Sequence, residues 1–546
     1  MKDESFERFA LTLDQVGQTS SKLEKVRFLA EYFSTLSPAA LASACRFILG
    51  KESDKGDVGV GWSTTMRAIR ELRGIRGDEM RRLYLEFGDV GSSVEKIFSS
   101  KIQIQLGKPE PLTITDVQQV FDKMAESTGP GSSEVKKKFL VGLYARMDGK
   151  QAKYLTRILN GELRIGATEG IVLDALGKAF NNEEVRNWYL IVGDVGALAA
   201  KLSRRDTSPP EPDYFRPVAF MLALPLQDSA EVAKHFGKPV FAEYKYDGVR
   251  LQAHVKDGQV HLYSRRMEDV TRSMPDVTAS LSAAKVNMIL DGEALAFDEG
   301  KPISFMMLQR RLHRKNLSQD VLRAIPVHYF VFDLLKLGDS SLLGSSLSQR
   351  KNRMKSLNLE GNVRMAYHWT VASPEEIEKL FRRSRDEGYE GLVLKDPISA
   401  YTPGRRGGSW AKLKEELDTL DVVVVGAEYG NGKRAGLLSD LTFAVWDDDE
   451  LKTIGKAYSG LTDDEIKNMT ELLQRIKIRE TWNGVIVPPS IVLEVAFDSI
   501  QKSTRHESGF ALRFPRIKRV RDDKKPEDAD TVERVRQIFG HQFSNR

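Results

Sequence analysis

Through its first two hundred residues the chain places apolar side chains at helical spacing. Leu23, Val26, Ala30 and Phe33 fall on one face of a 3.6-residue period. Ser37-Pro38 has the form of an N-cap followed by proline in the first helical turn, and Gly50 ends that helix. Helical punctuation of this kind continues to Leu202. Residues 204–213, RRDTSPPEPD, are charged and proline-rich and read as a linker. From about Tyr214 the period shortens. VFAEYKY, ILDGEALAF, VHYFVFDLL, GLVLK and SWAKLK are short β-type runs separated by helical stretches, which predicts an α+β unit built on antiparallel sheets. Beyond Leu420 strands dominate (DVVVVGAEYG, LTFAVWDD, SIVLEVAFD), with one helix opened by the capping box Thr462–Glu465 and a last helix from about Glu527. A small barrel fits that segment. The pattern therefore predicts a multidomain protein divided at 1–205, 214–419 and 420–546.

Length agrees, since 546 residues exceed what one hydrophobic core organises. Composition is that of a soluble globular protein, 41% hydrophobic and 29% charged, with no apolar run long enough to span a bilayer and no secretory leader. A cytoplasmic location without membrane contact is expected. The one cysteine, Cys45, shares a helical face with Leu41, Ala44 and Ile48 and reads as a buried hydrophobe. It leaves no cysteines for an internal disulfide or a multi-cysteine zinc site. Net charge is only +5, so the distribution of cations matters more than their sum. Basic runs stand at Lys136–Lys138, Arg310–Lys315, Arg405-Arg406 and Arg513–Arg521, each by itself compatible with a solvated face.

Chemistry concentrates on the β-type runs of the middle segment. In FAEYKYDGVR (241–250) a strand turns Glu243 and Lys245 to one side and Ala242 and Tyr244 to the other, and Asp247-Gly248 signals a tight turn. By itself this segment is equally an exposed edge strand with a surface ion pair. SWAKLK alternates Trp410, Lys412 and Lys414 with Ala411 and Leu413, and ILDGEALAF puts Asp291 and Glu293 on a common face. EGLVLK carries Glu390 and Lys395 at the ends of an apolar run. Strand-borne acids and lysines on several strands call for a charged, phosphate-bearing ligand and a hard divalent metal such as magnesium.

These residues carry a resemblance. KYDG at Lys245–Gly248 resembles the K-x-D-G signature of the covalent nucleotidyltransferases, the superfamily of DNA ligases, RNA ligases and mRNA-capping enzymes. SRRMEDVT (264–271), DGEALAFD (291–298), VFDLL (331–335), EGLVLK (390–395), WAKLK (410–414) and LRFPRIKRVR (512–521) follow in family order. NGELRIGATE (160–169) resembles the G-x-L-R-I-G stretch in the helical DNA-binding domain of replicative-type ATP-dependent DNA ligases. The whole order looks like the archaeal and compact bacterial members of that group.

The resemblance implies an all-α DNA-binding domain, an α+β nucleotidyltransferase core and a C-terminal OB-fold lid. It assigns Lys245 as the adenylated nucleophile. Glu243, Arg250, Arg265, Glu293, Phe332, Arg406, Lys412 and Lys414 fall to ATP or AMP, with neighbouring Arg405 leaving the choice of nucleotide-site arginine open. Glu293 and Glu390 are implied at the metal, magnesium with manganese as the alternative. Arg513, Arg516, Lys518 and Arg519 are the implied lid and pyrophosphate cations. Gly161, Arg164 and Gly166 are implied at DNA phosphates, where glycine lets backbone approach and arginine supplies charge. The implied reaction seals nicks in duplex DNA through lysyl-AMP and DNA-adenylate. The expected state is a monomer, with a sliding clamp as a candidate partner. NAD-dependent ligases share K-x-D-G but resemble a layout with a four-cysteine finger, so ATP is the expected nucleotide. An RNA ligase or guanylyltransferase would leave residues 1–203 without a role, and a non-catalytic DNA scaffold would not retain Lys245, Glu293, Glu390 and Lys412.

Overall fold

The computed structural model describes residues 4–53, 58–99, 110–298, 300–303, 305–312, 317–357, 359–414 and 419–544. Twelve helices among the described residues lead from Phe6 to Ser203 and share one core that includes Phe9, Phe47, Phe121, Leu155 and Leu198. Cys45 lies fully buried within it on the helix Pro38–Ile48, whose N-cap Ser37 accepts from the Ala40 amide as its sequence predicts. Residues 204–213 form no helix or strand.

The middle segment holds two sheets. One orders Gln259–Ser264, Val249–Lys256, Met288–Asp298, Val327–Leu337 and Ser340–Ser341 side by side. The other orders Leu224–Leu226, Trp410–Lys414, Gly391–Lys395, Val240–Tyr244 and Trp369–Val371. Most pairs are antiparallel, but Leu224–Leu226 runs parallel to Trp410–Lys414, and Val363–Met365 parallel to Val327–Leu337. Period-2 alternation assigns the faces. Tyr329 and Val331 point to an outer core under the helices Pro275–Ser282 and Leu347–Lys355. Phe330 and Phe332 point inward to a shared layer with Ile289, Leu295 and Trp410. Ala242, Tyr244, Ala411 and Leu413 pack outward against Val232, Ile377 and Leu380 of two further helices.

The KYDG stretch does not close a hairpin. It carries the chain from Val240–Tyr244 in one sheet to Val249–Lys256 in the other. Gly248 is required for room, because a Cβ there would stand 2.3 Å from the Ala294 carbonyl oxygen. The expected tight turn is thus a crossing between sheets.

The last segment is strand-rich. Leu420–Tyr429 pairs with Leu438–Asp447 on one edge and with Val492–Ala496 and then Gly484–Ile486 on the other, and Val492–Ala496 pairs in turn with Arg516–Val520. The strands wrap around Val422, Phe443, Leu493 and Ile517 as an open barrel of OB type. Helix Asp463–Ile476 opens on the expected Thr462–Glu465 capping box. The final helix begins at Val532, not near Glu527. Before it, Asp530 is held extended by bonds to Asp421 and to the Trp446 amide, which delays helix entry.

Candidate active site

Lys245 sits where the two sheets meet. Its amide donates to the Gly391 carbonyl at 2.8 Å and its carbonyl accepts from the Glu390 amide at 3.0 Å, so the backbone is pinned beside the strand Gly391–Lys395. Its amine pairs with the Glu390 carboxylate. Burial would raise the Glu390 carboxyl, but Lys245, Asp247 and Lys414 hold it below the usual carboxylate range. Across the cleft stands Glu293, pushed up to about 8 by burial, with Arg250 and Lys245 opposing the shift and Asp291 and Glu390 adding to it.

Arg250 lies one strand from Glu293. It donates to both oxygens of fully buried Asp291, at 3.0 and 2.7 Å, and to the Met221 carbonyl at 2.7 Å. Tyr401 donates to the same Asp291 at 2.7 Å. The Arg250 guanidinium lies 4.9 Å from the Phe220 ring centre and 5.3 Å from that of Phe332. Phe332 therefore belongs to an aromatic wall with Trp410, the two rings edge to face at 6.0 Å. Arg265 is exposed on the turn after Gln259–Ser264, whose end pairs beside Arg250.

Glu243 leaves this cleft. It is buried, with Lys351 at 2.6 Å and Lys395 at 2.7 Å, behind the wall: the Lys395 amine stands 4.0 Å from the Phe332 ring centre and 4.1 Å from that of Trp410. Burial alone would raise the Glu243 carboxyl; the two lysines hold it low. Burial also pulls Lys395 down to about 8, against the pull of Glu243. Ala242 and Tyr244 pack outward, and on the other side of the strand the Glu243 side chain reaches a buried ion cluster while Lys245 pairs with Glu390. Lys351, in the helix LSQRKNRMK, gave no sequence signal; Lys395 had one as the last residue of EGLVLK.

Lys412 and Lys414 project from the strand beside Gly391–Lys395, opposite Val393 and Gly391. Burial lowers the Lys412 amine, and Lys245, Lys414 and Arg406 lower it further, so these cations converge. Arg405 instead donates to Asn187 of the helical segment. Lys414 pairs at 2.7 Å with Asp498 of the barrel. Between core and barrel lies a cavity of about 920 Å³ whose wall includes Lys412, Lys414, Phe514, Arg516 and Lys518. Of the four implied lid cations, Arg516 and Lys518 face this space. Arg513 lies over the Phe514 ring at 5.1 Å, and Arg519 pairs with Glu494 at 2.7 Å on the barrel wall.

Far from this cleft, Gly161, Arg164 and Gly166 all take positive φ in one turn of the helical segment. A Cβ on Gly161 would meet nothing within 4 Å, while Arg164 folds back onto Glu162 and the Gly88 carbonyl. Of the other basic runs, Lys137 pairs with Glu71 and Glu134, and Arg311 is buried on Asp276 at 2.6 Å. Residues 313–315 of the run Arg310–Lys315 lie outside the described residues.

A lysine thus stands at the seam of two sheets, between carboxylates and a row of strand-borne cations beneath a barrel, an arrangement suited to a nucleoside polyphosphate. Comparisons with known proteins identify the family. The DNA ligase N terminus family matches residues 5–177, the ATP dependent DNA ligase domain family residues 220–414, and the ATP dependent DNA ligase C terminal region family residues 434–524. The chain is 38% identical to a probable DNA ligase of Koribacter versatilis, covering 98% of this chain and 97% of that one. It is 36% identical to a DNA ligase of Methanothrix thermoacetophila, with 98% of each covered. The solved structure Pmar-Lig_PreS3 superimposes at a TM-score of 0.52 and 17% identity, over 94% of this chain and 99% of that one, a likeness of fold. The chain belongs to the ATP-dependent DNA ligase family, whose members seal DNA nicks through adenylate intermediates.

Proposed function

We propose that Lys245 is the adenylated nucleophile and that the three units 1–205, 214–419 and 420–546 divide the work of DNA grip, chemistry and lid. The observation that carries this is the Lys245 amine at the sheet seam, in contact with Glu390 and faced by Lys412. The amine, oriented by its contact with the Glu390 carboxylate, loses its proton to solvent and attacks the α-phosphorus of ATP. An N–P bond forms as the P–O bond to pyrophosphate breaks. The 5′-phosphate at a nick then takes the AMP, and the 3′-hydroxyl displaces it.

Each displacement spreads charge over phosphate oxygens, so positioned cations lower the barrier electrostatically. Lys412 and Lys414 supply them from the core, and Arg516 and Lys518 from the barrel. Arg513 and Arg519 are engaged on the barrel itself and are assigned to a later lid position. Phe332 presents its ring to adenine, with Glu243 setting the wall behind it, and Arg250, Arg265 and Glu293 border ribose and nick phosphate. Arg406 is the nucleotide-site arginine, since Arg405 is turned to the helical segment.

Glu293 and Glu390 offer hard carboxylate oxygens at the cleft, and no group of three potential ligands occurs among the described residues. That donor set fits magnesium, or manganese in its place, which binds through few carboxylates and keeps its waters. When bound there the ion neutralises charge on the phosphates. Gly161, Arg164 and Gly166 meet DNA phosphates, Arg164 after release from Glu162. Binding of nicked duplex is then independent of sequence and sensitive to salt. The same reading has a monomer acting in the cytoplasm, with a sliding clamp as candidate partner.

Lys245→Ala tests the assignment. Incubated with ATP labelled in the α-phosphate and magnesium, the variant is expected to form no adduct while still binding nicked DNA; label retained on the variant protein would refute it.

A further inference from the structure

The helix Val185–Val192 belongs to the helical segment, yet its far side touches the loop that carries Arg406. The Leu190 carbonyl accepts from the Ala219 amide at 2.8 Å. The Leu190 side chain fills the space where a Cβ on Gly404 would stand, 2.8 Å away, and Gly404 has φ +67°. Asn187 accepts from the Arg405 guanidinium through Oδ1. Its own amide donates to Glu184, which fixes which end of the side chain faces Arg405. The loop is tied on its other side to the stretch between the two segments: Gly404 N donates to Phe220 O at 3.2 Å and Leu222 N to Arg405 O at 3.0 Å. Phe220 and Met221 of that stretch are the same residues that cradle Arg250. One abutment therefore touches the backing of both arginines.

We infer that Asn187 is a positioning residue for nucleotide binding: by holding Arg405, it sets Arg406 toward Lys412 and the polyphosphate. The helical segment then serves the nucleotide step, before any DNA is bound. This rests on Arg406 being the nucleotide-site arginine. The alternative that Asn187 only tidies the surface makes a different forecast. A surface helix contact changes overall stability, whereas a positioning contact changes ATP affinity in the DNA-free reaction and leaves turnover alone.

The experiment is a single round of self-adenylylation of the full chain without DNA, its rate followed over a range of ATP concentrations, with KM the half-saturating ATP concentration and kcat the limiting rate of that round. Asn187→Ala is expected to raise KM for ATP by about fivefold, the size of one net hydrogen bond, with kcat within about twofold. Asn187→Asp, combined with Glu184→Gln so that an amide and not a carboxylate faces the new acid, keeps an acceptor for Arg405 and is expected to restore KM. Arg406→Ala is expected to raise KM by itself, and adding Asn187→Ala to it is expected to do nothing more. An unchanged KM in Asn187→Ala, an Asn187→Asp with Glu184→Gln no better than alanine, or full additivity with Arg406→Ala would overturn the inference. An Arg406→Ala enzyme with unaltered KM would instead remove the reading of Arg406 on which it rests.

Discussion

His254 stands on the strand Val249–Lys256 without solvent exposure. Its Nδ1 accepts from the Phe215 amide at 3.0 Å, and Nε2 meets Gln252 Oε1 at 2.9 Å, so the neutral ring satisfies both partners. A proton on Nδ1 would face a donor. Burial, and secondarily His261, pushes its pKa down to about 3, against 6.5 for a free histidine. Between those values the unfolded chain binds a proton that the folded chain refuses. Its contribution is therefore complete above about pH 6.5 and declines as pH falls toward 3, by roughly 1.4 kcal/mol per pH unit. His254→Gln is expected to flatten this limb, measured as denaturant midpoints of both proteins at pH 7, 6 and 5. Parallel declines in the two would show that the histidine is not the cause.

At the level of elements, the sheet crossing depends on Gly248. Its absent side chain leaves the Ala294 oxygen and a Leu295 methyl where a Cβ would stand, the latter at 2.9 Å. Gly248→Ala is expected to cost about 1–3 kcal/mol through overpacking. It should also lower the yield of AMP adduct by displacing Lys245. A variant with unchanged melting temperature and adduct would contradict the close approach. Sequence alternation made the central strands legible because each has an apolar and a chemical face, as at Trp410–Lys414. It could not tell that the chain leaves one sheet for another at Asp247-Gly248, since a glycine needed for room looks the same as one needed for a turn. Nor did it find Lys351, whose helix carries only Leu347 and Met354 as apolar residues and whose burial depends on Glu243 from a distant strand. Arg519 followed its motif in the sequence, but the register shift between Glu494 and Val495 gives it a barrel partner.

The whole molecule is joined at its core by short ties. Arg405 reaches the helical segment through Asn187, and Lys414 reaches the barrel through Asp498. The second pair is partly exposed, 25% and 33%, so it contributes roughly 0.2–1 kcal/mol, enough to bias a movable lid without locking it. Asp498→Ala is expected to let the barrel drift from the core, seen as a larger radius of gyration in small-angle scattering of the DNA-free enzyme. An identical scattering curve would mean that other contacts hold the barrel. The order helical segment, two-sheet core and barrel was readable from changes in hydrophobic period; these ties were not, because each joins residues far apart in sequence.

The buried thiol of Cys45 has a practical consequence for watching that motion. The chain has no second cysteine, and burial holds this one well above the ordinary thiol range, so bulky reagents have no route to a reactive sulfur. A pair of cysteines introduced on the exposed faces of helix Pro374–Asp386 and of the hairpin around Trp482 would take fluorophores against a silent background. Opening and closing could then be timed in the otherwise native chain, one molecule at a time.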